Sequence, residues 1–268
     1  MILTVDTGGT KTLIVGFSED GSVVGEVKYP TPRDREEYVE VLARTVREKF
    51  AMEEIEMIVI ATPGMIEDGV IVKYDKLEWD GFRLVEQVEA EFPGVRVYLE
   101  NDTNLGGMGV AKEVEARRVM YLTLSTGIGM GMMEDGKLVD GLRRAEIGKI
   151  TVKRDGGAVI WELVASGKAF YEKHGKFGCD IDDEAVWREY AEDVGEGLAM
   201  TLAVLQPEVI VIGGSMGRYV DKFGRFLKEV VQRDVWPWFS DVEIVAARNP
   251  DWAVIEGCYE YAKLRRAD

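Results

Sequence analysis

Positive charge, cysteine, side-chain amides and long apolar runs are all scarce in this chain. Its 33 Lys+Arg are outnumbered by 49 Asp+Glu, giving a formal net charge of −16 over 268 residues. Bulk electrostatics then repel a polyanion, which argues against nucleic acid or an anionic membrane as partner. One phosphorylated small molecule is still allowed, because backbone N–H groups and a magnesium ion can hold phosphates locally. Two cysteines, Cys179 and Cys258, cannot make a disulfide scaffold or a four-cysteine zinc site. A reduced, cytoplasmic protein is the simplest expectation. No apolar run approaches the ~20 residues that a membrane-spanning helix needs. The opening Met1-Ile2-Leu3-Thr4-Val5-Asp6 lacks a basic region and reaches an acid at once, so a signal peptide is not expected.

What is present is an alternation of strand and helix signals, which predicts a layered α/β architecture. Ile2–Val5, Leu13–Phe17 and Ser22–Val27 read as strands separated by Gly and Asp turns. Residues 35–50 place Tyr38, Val39, Leu42, Val46 and Phe50 on one helical face. Strands are predicted over 55–61 and 95–99, and a helix over 82–92. The pattern then restarts: Leu122-Thr123-Leu124-Ser125-Thr126-Gly127 matches Leu3-Thr4-Val5-Asp6-Thr7-Gly8, and Glu134-Asp135-Gly136 matches Glu19-Asp20-Gly21. Helices follow over 159–172, 181–205, 219–235 and 253–264, with strands at 209–212 and 242–246. Two similar α/β lobes with a central cleft are expected. The N-terminal lobe would span 1–104, with a final helix at 252–268 packing on it, and the C-terminal lobe 105–251.

Asp6-Thr7-Gly8-Gly9-Thr10-Lys11-Thr12 is the strongest local signal. A glycine turn between strands lets backbone N–H groups approach a phosphate without Cβ interference. Thr10 and Thr12 add hydroxyls, Lys11 a cation, and Asp6 a carboxylate able to hold a hydrated magnesium ion. A plain hairpin is the bland alternative; a Walker loop is excluded, since no Gly-Lys-Ser/Thr opens a helix here. Ser125-Thr126-Gly127-Ile128-Gly129 is either a bulged hairpin or a second phosphate clasp. Val209–Ser215 reads as a buried strand entering a glycine turn. Asp102, in Glu100-Asn101-Asp102, is either a helix N-cap or a carboxylate at a strand end that accepts a hydroxyl proton.

Taken together and in order, these motifs, with Pro63-Gly64 and Glu146-Ile147-Gly148, resemble sugar kinases of the ROK family (repressors, open reading frames, kinases). That family lies in the actin/Hsp70/hexokinase superfamily, and the resemblance runs from Leu3 to about Ala262. It implies two ribonuclease H-like lobes, each on a five-stranded sheet, closing on a sugar and ATP. Gly8, Gly9, Thr10, Lys11 and Thr12 would form the first nucleotide motif, Thr126 and Gly127 the second, and Gly213-Gly214 the adenosine motif. Asp102 matches the catalytic base and Asp6 the magnesium-linked acid. Gly64, Asn101, Glu146 and Glu162 match sugar contacts. The implied activity is phosphorylation of a hexose 6-hydroxyl, glucose first, with an N-acetylhexosamine kinase or a non-catalytic sugar sensor as alternatives. A sugar-responsive repressor is disfavoured, because Asp6 leaves no room ahead of it for a helix-turn-helix. A homodimer is the assembly common in the family.

The departures are informative too. Lys149 stands where the family carries histidine, and Arg154–Ala158 has no cysteine, so the family's structural zinc is expected to be absent. Lys149 could replace the histidine's sugar contact or pair with Glu146. Ala145 and Lys76 replace a usual Gly and Asn. The lone His174 reads as a surface or loop residue, and Met130, Met132 and Met133 as core. Glu53-Glu54 and Asp180–Glu184 read as solvated charge. Trp236-Pro237-Trp238-Phe239 could be an exposed subunit contact, although a buried lobe corner is preferred. Asn and Gln number six in all (Asn101, Asn104, Asn249, Gln87, Gln206, Gln232), a scarcity typical of heat-adapted proteins. The expected melting temperature therefore lies above the roughly 45–65 °C of mesophilic domains, which differential scanning calorimetry measures directly.

Overall fold

The computed structural model describes residues 1–268 apart from 53–54, 75–76, 155 and 268. The readings made at Lys76 and at Glu53-Glu54 lie outside the described residues. The chain divides into two compact units, Met1–Gly109 with Val254–Asp268, and Val110–Ala253.

Unit 1 begins with β1 (Ile2–Thr7), β2 (Lys11–Phe17) and β3 (Val23–Pro30). Asp34 then caps α1 (Arg35–Lys49) by accepting from the N–H groups of Glu36 and Glu37, at 3.0 and 2.9 Å. The apolar stripe buries Tyr38, Val39, Leu42 and Val46 as its spacing requires, while Phe50 falls just beyond the helix as its C-cap. After α1 come β4 (Met57–Thr62), β5 (Met65–Glu67), β6 (Val70–Lys73), α2 (Leu84–Glu91), β7 (Arg96–Asn101) and α3 (Asp102–Ala111). The main sheet runs β3-β2-β1-β4-β7, with β1, β4 and β7 parallel. All six residues of β4 are buried, the mark of a parallel strand covered on both faces.

Unit 2 holds β8 (Arg118–Leu124), β9 (Ile128–Glu134), β10 (Lys137–Leu138), β11 (Thr151–Arg154), β12 (Gly157–Ile160), α4 (Glu162–Ala165), α5 (Gly167–His174), α6 (Glu184–Leu205), β13 (Val209–Gly213), α7 (Gly214–Gly217), α8 (Val220–Asp234) and β14 (Glu243–Ala246). Its sheet runs β10-β9-β8-β13-β14, the same connectivity as the first. The short sequence repeat therefore marks a repeat of topology: β1 corresponds to β8, and the next turns along, β2–β3 and β9–β10, each hold a left-handed glycine, Gly21 and Gly136. Met130, Met132 and Met133 are all buried on β9, the first two in the main core cluster of unit 2.

Three expectations need correction. The helix expected over 159–172 is broken: Val159 pairs with Val152 in a hairpin, and Ser166 ends one short helix and caps the next by accepting from the Ala169 N–H. The helix expected from Ile181 starts at Glu184, because Asp183 caps it. Trp236 and Trp238 do not form a buried corner; they are 67% and 85% exposed. Contact with the core passes instead through Val235 and Phe239 on either side of them. His174 lies in the last turn of α5, against Phe170.

The last helix, α9 (Ala253–Ala267), belongs to unit 1 from Val254 onward. It packs Tyr259 on Phe17 and Tyr261 on Tyr98, with ring centroids 4.7 and 5.9 Å apart. It meets α3 at Gly257, where a first side-chain carbon would stand 1.7 Å from the Leu105 carbonyl oxygen. Because the obstacle is helix backbone, it cannot move aside as a side-chain tip can. Gly257→Ala is expected to lower stability by about 3 kcal/mol, the upper part of the overpacking range, measured by urea denaturation.

Candidate active site

The candidate residues of unit 1 collect at the C-terminal ends of its parallel strands, where open α/β sheets usually bind ligands. Asp6 lies on β1 in register with Ala61 of β4, which is in register with Glu100 of β7. Asp102 follows two residues later as the first residue of α3. Burial, followed by the charge of Asp102, pushes the Asp6 carboxyl up to about 7, with Lys28 opposing. The two carboxylates thus sense each other across the intervening strand. The buried thiol of Cys258 is also pushed up, by burial first and then by the charge of Asp6.

Asn101 fixes the geometry here. Its Oδ1 accepts from the N–H groups of Thr103 and Asn104, at 2.9 and 3.3 Å, and so caps α3. Its Nδ2 donates to the Gly64 carbonyl at 2.9 Å. Asn101 thus takes a capping role at the start of α3, whose first residue is Asp102. Glu100, buried, accepts from the Asn101 N–H and from Asn104 Nδ2, both at 2.9 Å. Gly64 has φ +105°, and a side chain there would strike the Lys73 carbonyl oxygen at 2.4 Å. Only glycine suits that turn.

In the first glycine turn, the Gly8 N–H donates to the Lys11 carbonyl at 2.9 Å, and Thr31 Oγ1 donates to the Gly8 carbonyl at 2.8 Å. Thr10 and Lys11 are exposed. Thr12 is fully buried, and its hydroxyl pairs with Thr31 Oγ1 at 2.9 Å. Strand alternation places it opposite Thr7, on the inner face. It braces the turn with Thr31, a residue that no local motif singles out.

In unit 2, Ser125 closes the second turn by donating its N–H to the Gly127 carbonyl at 3.0 Å, and its own carbonyl accepts from the Lys168 N–H at 3.0 Å. Thr126 is exposed. Glu162 Oε2 lies 2.9 Å from where a side chain on Gly127 would begin, and its Oε1 accepts from Lys149 Nζ at 2.6 Å. Gly127, Lys149 and Glu162 are thus brought together. Glu146 is exposed, just before the 3-10 turn Ile147–Lys149. Gly213 ends β13 and Gly214 opens α7. Among the described residues, no three His, Cys, Asp or Glu side chains are grouped to hold a metal ion.

The family model of ROK matches residues 2–263. The chain belongs to the ROK family. A glucokinase of Streptomyces coelicolor is 26% identical over 313 residues, covering 98% of each chain. A fructokinase of Lactococcus lactis subsp. cremoris is 23% identical over 232 residues, 80% of this chain and 78% of that one. Among solved structures, a ROK family glucokinase from Streptomyces griseus in complex with glucose and AMPPNP gives a TM-score of 0.80 at 24% identity, covering 98% of this chain and 99% of that chain. That likeness shows the fold, the α/β fold of the actin and hexokinase type.

The Asp6 shift has a consequence for the ROK chain alone. The folded protein keeps this proton up to about pH 7, whereas the unfolded chain releases it near the ordinary 3.8. Between those values the folded state binds more protons, so this contribution is full below about 4 and lost as pH rises through about 7. In magnesium-free buffer, wild-type stability is expected to fall across that window, and Asp6→Asn is expected to flatten the slope. Urea midpoints at pH 5 and pH 8 measure both.

Proposed function

We propose that this chain transfers the terminal phosphoryl group of ATP to the 6-hydroxyl of a hexose, glucose foremost, with Asp102 as general base. The coarser statement, a sugar kinase, has the support of ROK membership and of relatives named glucokinase and fructokinase. The observation that carries the finer one is the Asp6–Asp102 pair at the strand ends, beside the Asn101–Gly64 clasp.

In this reading Asp102 takes the proton of the attacking hydroxyl. The new bond joins that oxygen to the terminal phosphorus, the bond from phosphorus to the bridging oxygen breaks, and ADP leaves. A hard carboxylate strained by a second negative charge fits a magnesium ion, which Asp6 would hold and which would offset phosphate charge. Exposed Thr10 and Lys11, with the N–H group of Gly9, are assigned to phosphate, and Gly8 to the nucleotide turn itself, whose shape its N–H bond to the Lys11 carbonyl holds. Thr126, Gly127, Gly213 and Gly214 are the nucleotide contacts assigned in unit 2. Gly64, Asn101, Glu146, Lys149 and Glu162 are assigned to sugar hydroxyls, where they supply orientation rather than bond chemistry.

A coupled ADP-release assay with glucose, mannose, fructose, N-acetylglucosamine and N-acetylmannosamine tests the reading. Turnover with none of them would remove it, and preference for an N-acetylated sugar would move it to that class. Asp102→Asn is expected to lower kcat by at least about a hundredfold with the melting temperature preserved. Near-normal turnover in that variant would refute the role.

A further inference from the structure

Thr31 stands between two prolines, Pro30 at the end of β3 and Pro32. Proline fixes its own φ, and the residue before a proline is confined largely to extended backbone. Thr31 is thus presented stiffly, and it is buried. It meets the first glycine turn three times. Its N–H donates to the Thr10 carbonyl at 3.1 Å, its Oγ1 donates to the Gly8 carbonyl at 2.8 Å, and the same Oγ1 lies 2.9 Å from Thr12 Oγ1. A hydroxyl has one proton to give, and the Gly8 carbonyl takes it, so Thr12 is the donor in the third contact.

The bond to Gly8 falls where the turn is least constrained by its own sequence. Gly8 and Gly9 are adjacent, and a peptide unit between two glycines rotates with little steric resistance. In a trans peptide the C=O of one residue and the N–H of the next lie in one plane and point in opposite directions. Holding the Gly8 carbonyl on buried Thr31 therefore aims the Gly9 N–H away from Thr31. A rotated unit would put a carbonyl oxygen, whose partial charge repels an anion, where the N–H had been. The carbonyls at the far side of the turn are held as well, that of Thr10 by the Thr31 N–H and that of Lys11 by the Gly8 N–H at 2.9 Å.

We propose that the Thr31 hydroxyl sets the Gly8–Gly9 peptide unit so that its N–H faces a nucleotide phosphate, which makes Thr31 a positioning residue for the phosphoryl donor. The inference rests on the nucleotide assignment made above, and Thr31 lies outside the set assigned there. It acts through the turn and touches no ligand itself.

Thr31→Val keeps the side-chain shape and the backbone bond to Thr10 but removes the hydroxyl, and Thr31→Ser gives the hydroxyl back. Calorimetric titration with magnesium–ATP, without sugar, is expected to show an affinity about tenfold weaker for Thr31→Val and within about threefold of wild type for Thr31→Ser. In the ADP-release assay Thr31→Val is expected to raise KM for ATP by about the same tenfold, with KM for sugar within about twofold and kcat within about threefold. An unchanged magnesium–ATP affinity in Thr31→Val would overturn the inference, as would a serine variant no better than the valine one. Equal rises in both KM values, or a valine variant that does not fold, would overturn it by making the bond a general support of the fold. A wild-type chain that binds magnesium–ATP but phosphorylates no sugar removes the sugar-kinase reading and leaves the titration to decide this one. A wild-type chain that binds no magnesium–ATP overturns both.

Discussion

Two carboxylates kept close repel one another, and the repulsion grows where little water is present to screen it. In unit 1 the chain maintains such a pair by construction. Asp6 and Asp102 stand at the ends of strands separated by fully buried β4, so neither can move apart without disturbing the centre of the sheet. Asn101 locks the start of α3 and ties it to the Gly64 turn, and α9 presses on the same helix through Gly257. The proton affinity of Asp6 is raised first by burial and then by the charge of Asp102.

Topology reuse explains why so much of the fold could be read in advance. A Leu-Thr-x-x-Thr-Gly segment at two places, each followed by an acidic glycine turn, marks the first hairpin of each sheet. The uniformly apolar stretches at β4 and β13 are the parallel strands beside β1 and β8. Candidate residues then fall at strand ends because the sheet order puts them there.

What the sequence concealed was mostly local competition between side chains and backbone. Thr12 looks like a phosphate donor by spacing, yet strand alternation turns it inward to Thr31. Asn101 and Asp102 are both good caps, and only the three-dimensional position of Gly64 decides that Asn101 takes the role. Ser166 breaks an apolar stretch that has helical period on both sides. Trp236 and Trp238 have the composition of a core, but the flanking Val235 and Phe239 make the core contacts.

The membership of α9 in unit 1 has a consequence for how the chain acquires its structure. Unit 2 is an insertion: residues 110–253 interrupt a unit whose remaining piece is supplied only by residues 254–268. During vectorial synthesis, with domains folding as units from the N-terminal end, the usual order is reversed here. The inserted unit has its full complement of residues first. The earlier-made sheet must wait, with α3 lacking the helix that covers it at Gly257, until α9 emerges. Completion of the carboxylate-bearing unit therefore follows synthesis of the whole inserted unit.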